Sequence, residues 1–404
     1  MDGDRPYDLV LFGATGFTGR LTAQYLAGAV PAGCRWALAG RNEQKLAEVR
    51  RELLAGHPGL VEPAVLLADA TDRAALRKVA EAARVVVSTV GPYQRYGEPL
   101  VAACADAGTD YLDLTGEPEF VDRMYLLHHE RAQASGARLV HSCGFDSIPH
   151  DLGVLFTVRQ LPPEAEESAV SVNGYVRAGG TFSGGTFASA LTAFGRPRAA
   201  AQANRERRAA EARPAGRRIR TTPRGPHRSA EARAWALPLP TIDPQVVGRS
   251  AAALPGYGRQ FGYAHYAAVK RLPVAVGGVL GLGLLVLAAQ VPPLRRALER
   301  LHGPGEGPSA ERRAASWFTV RFVARTAAAQ VVTEVSGGDP GYTETAKMLA
   351  ESALCLAYDE LPRVAGQVTP AVAMGDALVE RLRAAGMRFE VLGEVPPHAP
   401  RRHR

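Results

Sequence analysis

A glycine-rich turn within Tyr7–Gly19 constrains the fold of this chain more than any other stretch. Residues 9–12 form an apolar run that is typical of a strand buried on both faces of a parallel sheet. Gly13, Gly16 and Gly19 follow at regular spacing, and helical periodicity continues after them. Such a turn lets the backbone approach a pyrophosphate and directs helix N-terminal amides at it. An ordinary tight turn would also carry glycines, but this position between strand and helix favours a dinucleotide site. The predicted cofactor contacts in the turn are Gly13, Ala14, Thr15, Gly16, Phe17, Thr18 and Gly19.

The alternation of strands and helices continues to about residue 150 and predicts an α/β fold with a Rossmann-type, doubly wound parallel sheet. The second strand ends at Arg41, where no acidic residue stands to bind a ribose 2′-hydroxyl. A guanidinium suits a 2′-phosphate, so Arg41 indicates NADPH, unless it only begins the next helix. Asp69 follows the third strand and would cap a helix or lie beside the adenine. The fourth strand ends near the predicted nicotinamide site, which gives four further contacts: Thr89, Gly91, Pro92 and Tyr93.

The segment 142–151 follows the sixth strand and is dense in polar side chains. It lies at the carboxyl end of a strand, where parallel sheets bind ligands. Asp146, Ser147, His150 and Asp151 are all capable of chemistry, but capping of the next helix explains Asp146 or Ser147 equally well. The chain has no GxSxG elbow in this segment, which makes a Ser-His-Asp triad an unfavourable interpretation.

The net charge of +8 on 404 residues is a local feature. The segment 196–233 holds 12 arginines and 3 glutamates, a net of +9, which leaves −1 for the rest of the chain. Its arginines are not interleaved with aromatic residues, so we predict no nucleic-acid partner. Two interpretations stay open: a solvated, partly disordered loop, or a contact for an anionic partner such as acidic lipid or a carrier protein.

The four cysteines are far apart in the sequence and form no CxxC pair. This spacing argues against a disulfide framework and against a zinc site, and it fits a reducing cytosol. We therefore predict no metal site. The polar N-terminus carries no secretory signal, so we predict a cytoplasmic protein, with a peripheral position at the inner membrane or a lipid surface as an extension of that prediction.

The pattern changes from about residue 164 to the alternation of half-buried strands, which predicts a second α+β domain on a mixed or antiparallel sheet. A glycine-rich turn is predicted at Thr181–Phe187. The predicted divisions are 1–150 for the Rossmann domain, 151–339 for the second domain with its Arg-rich loop 196–233, and 340–404 for C-terminal helices.

Leu272–Val291 has no charged residue over 20 positions and is long enough for a transmembrane helix. Basic residues lie on both sides of the segment, so they indicate no orientation in a membrane. The later strands must also rejoin the earlier ones, which disfavours a helix that spans the membrane fully. Two interpretations stay open. The segment either dips into a lipid phase, where nearby arginines favour anionic head groups, or forms a core helix of the second domain.

Several motifs together resemble the saccharopine dehydrogenase-like oxidoreductases, and most closely the trans-acting enoyl reductases of actinobacterial lipid biosynthesis. The resemblance covers nearly the whole chain. It implies that residues after about Pro340 return to the first domain. The motifs are Gly13–Gly19, Ala39–Asn42, Gly91–Tyr93 with Gly97, Tyr111–Glu117, Cys143–Pro149, and Gly338–Tyr342 with Thr345 and Ala346.

This family resemblance implies an NADPH-dependent oxidoreductase that reduces an enoyl double bond in a polyketide or fatty-acyl intermediate. The substrate would be an acyl thioester on a polyketide synthase or its acyl-carrier domain, and the products would be envelope lipids of the phthiocerol and glycolipid type. Enoyl reduction needs a donor near the thioester oxygen and a proton source for the α-carbon. Tyr93 is the first candidate, and Asp146 and His150 are next, although packing of Tyr93 against the nicotinamide is an equal alternative.

Two other functions stay open at this point. One is reduction of an amino-acid imine, as in true saccharopine-forming enzymes. That small, multiply charged substrate needs several arginines and acids in its pocket, which the stretch Thr181–Phe187 lacks. The other is a lipid-surface protein with a vestigial nucleotide site.

Overall fold

The computed structural model describes residues 5–179, 195–212, 214–291, 293–294, 297–298 and 307–394. The predicted turn Thr181–Phe187 lies outside these residues. The strands are β1 (Tyr7–Phe12), β2 (Trp36–Gly40), β3 (Ala64–Leu67), β4 (Ala83–Ser88), β5 (Asp110–Asp113), β6 (Arg138–Val140), β7 (Ala169–Gly179), β8 (Arg218–Arg220), β9 (His227–Ser229), β10 (Ala234–Pro238), β11 (Gln260–Val269), β12 (Trp317–Arg325), β13 (Gln330–Gly337), β14 (Gly366–Val368) and β15 (Arg388–Glu394).

Helices connect these strands, and a short 3-10 helix covers Pro163–Glu167. The α-helices are α1 (Phe17–Ala29), α2 (Glu43–Gly56), α3 (Arg73–Ala82), α4 (Tyr93–Tyr96), α5 (Glu98–Ala107), α6 (Pro118–Ser135), α7 (Ile148–Val158), α8 (Pro197–Ala210), α9 (Asp243–Ala253), α10 (Leu272–Gln290), α11 (Ala310–Ala314), α12 (Thr343–Tyr358), α13 (Pro370–Ala373) and α14 (Gly375–Ala384).

The first sheet has seven strands in the order β14-β6-β5-β4-β1-β2-β3, and every pairing in it is parallel. The prediction of a Rossmann-type sheet is therefore confirmed. Leu11 pairs with Leu38 on one side and with Val87 on the other, which places β1 at the centre. The strand order reverses at β1 and β4, and the carboxyl ends of both strands open onto a crevice.

Both faces of this sheet are covered, which is why its strands are apolar without alternation. Leu9 and Leu11 join a core that includes α1, α2 and α12. Val10 and Phe12, which point the other way, join a second core with α3, α5 and α6.

The second sheet has eight strands in the order β15-β13-β12-β7-β11-β10-β9, with β8 beside β11. Its pairs β7–β11 and β8–β11 are parallel and the others are antiparallel, so the predicted mixed sheet is confirmed. Side chains alternate along β13 between buried and half-buried, as expected for a sheet covered on one face.

The chain passes between the two sheets more often than the sequence indicated. Helix α7 crosses the predicted boundary at residue 150 and packs against β12 and β13 of the second sheet. Near the C-terminus, α12 packs on α1 and β14 extends the first sheet. Strand β15 then pairs with β13 in the second sheet, so the last strand differs from the predicted return of residues 340–404 to the first domain.

The Arg-rich segment is not the loop that was predicted. It contains α8, β8 and β9, and α8 packs against α6. Arg207 donates to Asp122 at 2.8 Å and Arg196 donates to Glu119 at 2.8 Å, so two of its arginines form ion pairs with the first domain. Solvation alone therefore does not explain the segment.

Helix α10 coincides with the apolar segment and is mostly exposed. It has the length and composition of a membrane-crossing helix, which by itself is weak support for a membrane. Only Ala275 and Ala289 are buried among its residues, and Leu280 and Leu284 are 63% and 68% exposed. The interpretation as a core helix is therefore wrong, because the helix contributes almost nothing to the core.

Candidate functional site

The glycine turn closes on itself so tightly that two of its positions admit no side chain. Gly13 has a φ of +93°, and a Cβ there would lie 2.6 Å from Cγ2 of Val90. A Cβ on Gly19 would lie 2.1 Å from the carbonyl oxygen of Gly13. Gly16 donates its N–H to the same carbonyl at 3.1 Å. The turn therefore has the shape that brings backbone close to a pyrophosphate.

The N-terminus of α1 is open to an anion. Its N-cap is Gly16, no side chain caps it, and its first turn contains no acidic residue. The free amides and the helix dipole together favour a phosphate group at this end. Ala14 is buried under the turn, whereas Thr15 and Thr18 are half-exposed on it. These residues fit the pyrophosphate of a dinucleotide.

Thr89 fixes the glycine turn from the neighbouring strand. Its N–H donates to the carbonyl of Phe12 at 2.9 Å, and its hydroxyl donates to the carbonyl of Gly13 at 3.1 Å. Gly91 is exposed and Pro92 is half-buried at the same edge of the sheet. Contact of Thr89, Gly91 and Pro92 with the cofactor stays a prediction.

Arg41 and Asp69 follow neighbouring strands at the ribose end of the crevice. Arg41 is exposed, and within the described part of the chain it forms no hydrogen bond or ion pair. Asp69 accepts from the N–H and hydroxyl of Thr71, and these bonds lower the pKa of Asp69, with a smaller contribution from Arg41. The cap of α3 is Asp72 instead of Asp69. The free guanidinium of Arg41 suits a 2′-phosphate.

Tyr93 is fixed inside the protein. Its hydroxyl donates to the carbonyl of Ser88 at 3.0 Å and accepts from the N–H of Leu114 at 3.2 Å. Burial raises its pKa well above the ordinary value. The carboxylate of Glu117, buried and not singled out from the sequence as a functional residue, accepts from the N–H groups of Tyr93 and Gln94. This geometry favours an anchoring role, and donation by Tyr93 to a substrate stays a prediction.

Asp113 organises the loop that carries the polar segment. It lies 2.6 Å from Nδ1 of His141, and its other oxygen accepts from the N–H groups of Thr115 and Ser142. All of these groups are buried. The ends of β5 and β6 are thereby joined, which positions the loop leading to Asp146.

Asp146 lies partly exposed in the loop after β6, and no hydrogen bond to it occurs among the described residues. A Cβ on Gly116 would lie 2.9 Å from its Oδ2, so glycine leaves the space that this carboxyl occupies. Burial of the carboxyl within the loop raises the pKa of Asp146 to about 7, Asp243 adds to the rise and His150 opposes it. A carboxyl of this kind holds a proton near neutral pH.

His150 is buried in the first turn of α7. Its Nδ1 lies 2.8 Å from Oδ1 of Asp243, and His265 lies on the other side of that carboxylate. Ser147 is the N-cap of α7 but its side chain does not cap the helix. Asp151 accepts from the N–H of Ala371 at 2.8 Å. The structure therefore separates the predicted candidates into a partly exposed Asp146 and a buried His150.

Asp243 and His265 were missed in the sequence because they are distant from the polar segment. Asp243 precedes a proline at the start of α9 and has the pattern of an ordinary helix start. His265 follows Phe261 and Tyr263 on the inward face of β11, and a histidine at a core position of a strand was the one local signal available.

Segments that flank the β12–β13 hairpin lie beside the glycine turn: α11 before β12, and the residues between β13 and α12. The ring of Phe17 lies 4.9 Å from that of Tyr342, and the guanidinium of Arg313 lies 5.4 Å from the Phe17 ring centre. A cavity of about 300 Å³ adjoins this contact. Its polar lining includes Arg313, Ser316, Asp339, Thr343 and Glu344.

Comparison with known proteins identifies the family of the chain and its cofactor domain. The family model described as the saccharopine dehydrogenase NADP-binding domain matches residues 9–140. A Mycobacterium tuberculosis protein, provisionally described as a trans-acting enoyl reductase, is 41% identical over 96% of this chain and 97% of its own length. A trans-acting enoyl reductase of Mycobacterium ulcerans is 37% identical over 95% of this chain and 97% of its own length.

Among solved structures, the apo form of the glutamate-forming saccharopine dehydrogenase of Saccharomyces cerevisiae has a similar fold. It superposes with a TM-score of 0.53 over 96% of this chain and 100% of its own, at 11% identity. This likeness concerns the fold alone. The matched NADP-binding domain contains both the glycine turn and Arg41, and NADPH is thereby confirmed as the cofactor.

Proposed function

Because this chain belongs to the trans-acting enoyl reductases of the saccharopine dehydrogenase-like family, we propose that it reduces the carbon–carbon double bond of an enoyl thioester. The observation that carries the proposal is the full-length similarity to enoyl reductases, together with a glycine turn and a free Arg41 that suit NADPH. The reaction would take place where the carboxyl ends of β1 and β4 face the second sheet.

The chain's own residues must supply a proton to the α-carbon as the double bond is reduced. NADPH, when bound, supplies the hydride for the β-carbon. Asp146 is the proton donor that we favour, because the residue is partly exposed, its carboxyl has no hydrogen-bond partner among the described residues, and its pKa is raised to about 7. Tyr93 is already engaged with two backbone groups, and His150 is buried against Asp243.

The test uses purified full-length protein, deuterium-labelled NADPH and a short 2-enoyl thioester of N-acetylcysteamine. We expect one deuterium in the saturated product, at the β-carbon. Asp146→Asn should lower kcat by about 100-fold and leave NADPH binding unchanged, since only proton delivery is lost. Asp106→Asn, at an exposed carboxylate paired with Arg131, is the matched control.

The outcomes separate the two parts of the proposal. If Asp146→Asn keeps the wild-type kcat, the proton has another source and Tyr93→Phe is the next variant to measure. If the wild-type protein binds NADPH but transfers deuterium to no enoyl thioester, the proposed reduction is wrong.

We extend the proposal to a substrate carried by a polyketide synthase or its acyl-carrier domain, as an intermediate of envelope lipid. The relatives' names include the term "trans-acting", which we interpret as action on a substrate held by another protein. Carrier domains are acidic, and a set of arginines around α8 is exposed and without ion pairs in the described structure. The set is Arg198, Arg205, Arg208, Arg218 and Arg220. Their replacement by glutamate should weaken capture of an acyl-carrier domain without changing turnover of the small thioester.

We also propose that α10 binds the enzyme peripherally to the inner membrane. The helix is apolar on all sides and carries exposed Lys270 and Arg271 at its start, an arrangement that suits an anionic bilayer surface. The strands that precede and follow α10, β11 and β12, belong to one sheet, so the chain before the helix and the chain after it must lie on the same side of a membrane. Insertion in the plane of the interface therefore fits the chain better than spanning.

Flotation with vesicles tests this location. The protein should float with phosphatidylglycerol-containing vesicles more than with phosphatidylcholine alone, and a Leu280→Asp/Leu284→Asp double variant should stay in the soluble fraction. Leu127→Asp, at a leucine that is 57% exposed on α6, is the control and should float normally. Equal flotation of both variants would contradict the role of α10.

A further inference from the structure

Three side chains that are capable of binding a metal ion meet in the interior, where α7 and α9 contact the second sheet. His150 lies in the first turn of α7, Asp243 begins α9, and His265 lies on β11. Each is at most 2% exposed. One ligand atom from each side chain can be chosen so that all three atoms lie within 4.8 Å of one another.

The cluster contains buried polar atoms whose hydrogen bonds are missing. Both ring nitrogens of His150 and Oδ1 of Asp243 have no hydrogen-bond partner in the described structure. Nδ1 of His150 and this oxygen lie 2.8 Å apart, yet they lack the alignment of a hydrogen bond. Leaving such groups unsatisfied in the interior is costly, and native proteins rarely do so without a reason. A cation bound by both atoms would satisfy them.

The spacing suits a small cation. Nε2 of His265 lies 3.8 Å from Oδ2 of Asp243, and the other nitrogen–oxygen contact is 2.8 Å. Donors about 2.0 to 2.2 Å from a tetrahedral metal are roughly 3.4 Å apart, a value between these two distances. Small side-chain movements would therefore bring the three donors to one ion.

Hydroxyl groups contact the ring nitrogens of His265, as groups around the ligands of a metal site commonly do. The hydroxyl of Tyr263 lies 3.4 Å from Nδ1 of His265, which leaves Nε2 to face Asp243. The hydroxyl of Thr241 lies 2.8 Å from that Nε2, and an ion would displace it. Two imidazoles and one carboxylate are a donor set that favours zinc and neighbouring first-row divalent ions over magnesium or calcium.

We propose that His150, Asp243 and His265 bind one divalent transition-metal ion, with zinc as the native occupant, and that this ion joins α7 and α9 to β11. The sequence predicted no metal site, because that prediction rested on the spacing of the cysteines alone. The proposed role is structural, and it goes beyond the proposed reduction without depending on it.

The decisive measurement is the metal content of the wild-type protein, purified without a polyhistidine tag. Mass spectrometry of the metals should find close to one zinc per chain after gel filtration. After removal by 1,10-phenanthroline, added Co²⁺ should produce visible absorption bands of a site with nitrogen and oxygen ligands. Asp243→Asn and His265→Gln should lose both signals. His141→Gln is the matched control, because His141 is equally buried beside a carboxylate, and it should retain them.

Folding is followed separately by circular dichroism and by NADPH binding. If both ligand variants fail to fold, the zinc content and the Co²⁺ spectrum of the wild-type protein still test whether the metal site exists. Folded wild-type protein with less than a tenth of an equivalent of metal and no Co²⁺ bands would overturn the proposal, and the cluster would then be a His–Asp ion pair. Absence of enoyl reduction with a bound zinc would contradict the proposed function and leave this site intact.

Discussion

At the scale of single residues, the glycines of the turn have separable roles that substitution can distinguish. Gly19 packs against the carbonyl of Gly13, whereas a Cβ on Gly16 would meet that carbonyl at an ordinary 3.5 Å. We expect Gly19→Ala to lower the free energy of unfolding by about 1–3 kcal/mol, because the turn must open. Gly16→Ala should leave that stability unchanged and weaken NADPH binding, since Gly16 lies where the backbone approaches the pyrophosphate.

Chemical unfolding without cofactor and titration of NADPH fluorescence measure the two effects. Gly277→Ala is the control, because that glycine lies in exposed helix with nothing within 4 Å of its Cβ. Equal loss of stability in the Gly16 and Gly19 variants would contradict the division of roles.

We predict that Arg41 sets the choice of cofactor through its charge and its planar donors. Arg41→Ala should raise the Kd for NADPH by about 10- to 100-fold, which corresponds to the loss of charge-assisted hydrogen bonds worth about 1.5–3 kcal/mol. Binding of NADH should change little, because it lacks the 2′-phosphate. Lys45→Ala, at an exposed cation in α2, controls for general loss of positive charge. A parallel loss of NADH affinity would show that Arg41 acts on the fold instead.

At the scale of elements, paired charges hold α8 against α6 and α9. Arg207 donates to Asp122 and to Glu211, and Arg249 donates to Glu211 at 2.6 Å. Burial alone would raise the pKa of Glu211, but the guanidiniums of Arg249 and Arg207 outweigh burial and lower it. Helix α8 is therefore fixed to α6 and α9 by paired charges.

A lowered pKa in the folded state means that ionised Glu211 stabilises the fold above its unfolded pKa of about 4.5. This contribution is lost as the pH falls through the folded value. Glu211→Gln should therefore lower the free energy of unfolding by about 1–3 kcal/mol at pH 7, and the difference from wild type should vanish toward pH 3. Urea unfolding at several pH values measures it. Glu206→Gln, on the exposed face of α8, should change stability by less than about 0.5 kcal/mol.

The elements that were predictable from sequence are those whose signals are local. The run 9–12 and the glycine turn lie next to each other, so periodicity and glycine spacing sufficed to predict β1, α1 and a bound dinucleotide, and Arg41 after the second strand then indicated NADPH. The buried partners of Tyr93, by contrast, come from Ser88, Leu114 and Glu117 on other elements. A tyrosine after a strand has the same local pattern whether its hydroxyl faces a substrate or a backbone carbonyl.

Long-range pairing accounts for the other differences. Local composition made the segment 196–233 look solvated, because its acidic partners Glu119 and Asp122 are about 80 residues away. The cluster of Asp243 and His265 with His150 was not predicted for the same reason, because its members are far apart in the sequence. Helix α10 differs from both cases, because its apolar sequence was recognised correctly and only the structure distinguishes an exposed helix from a buried one.

At the scale of the whole molecule, the repeated crossings of the chain should make the two sheets unfold together. Strand β15 lies in the second sheet, although β14 before it belongs to the first. The ring of the buried Phe389 on β15 lies 5.9 Å from the ring of Phe156 on α7. Helix α7 also carries Asp151, which bonds to the start of α13. A defect at β15 is therefore transmitted to the helix that follows the crevice loop.

We expect Phe389→Ala to lower the free energy of unfolding by about 3–5 kcal/mol, because it leaves a cavity in the shared core. Trp36 in the first sheet and Trp317 in the second can report each sheet separately in single-tryptophan backgrounds. Both probes should shift to the same lower urea midpoint. Val391→Ala, at a side chain that is 48% exposed on the same strand, should shift neither. A shift seen by Trp317 alone would mean that the two sheets are separate folding units, despite the three crossings of the chain between them: from β6 to β7, from β13 to β14 and from β14 to β15.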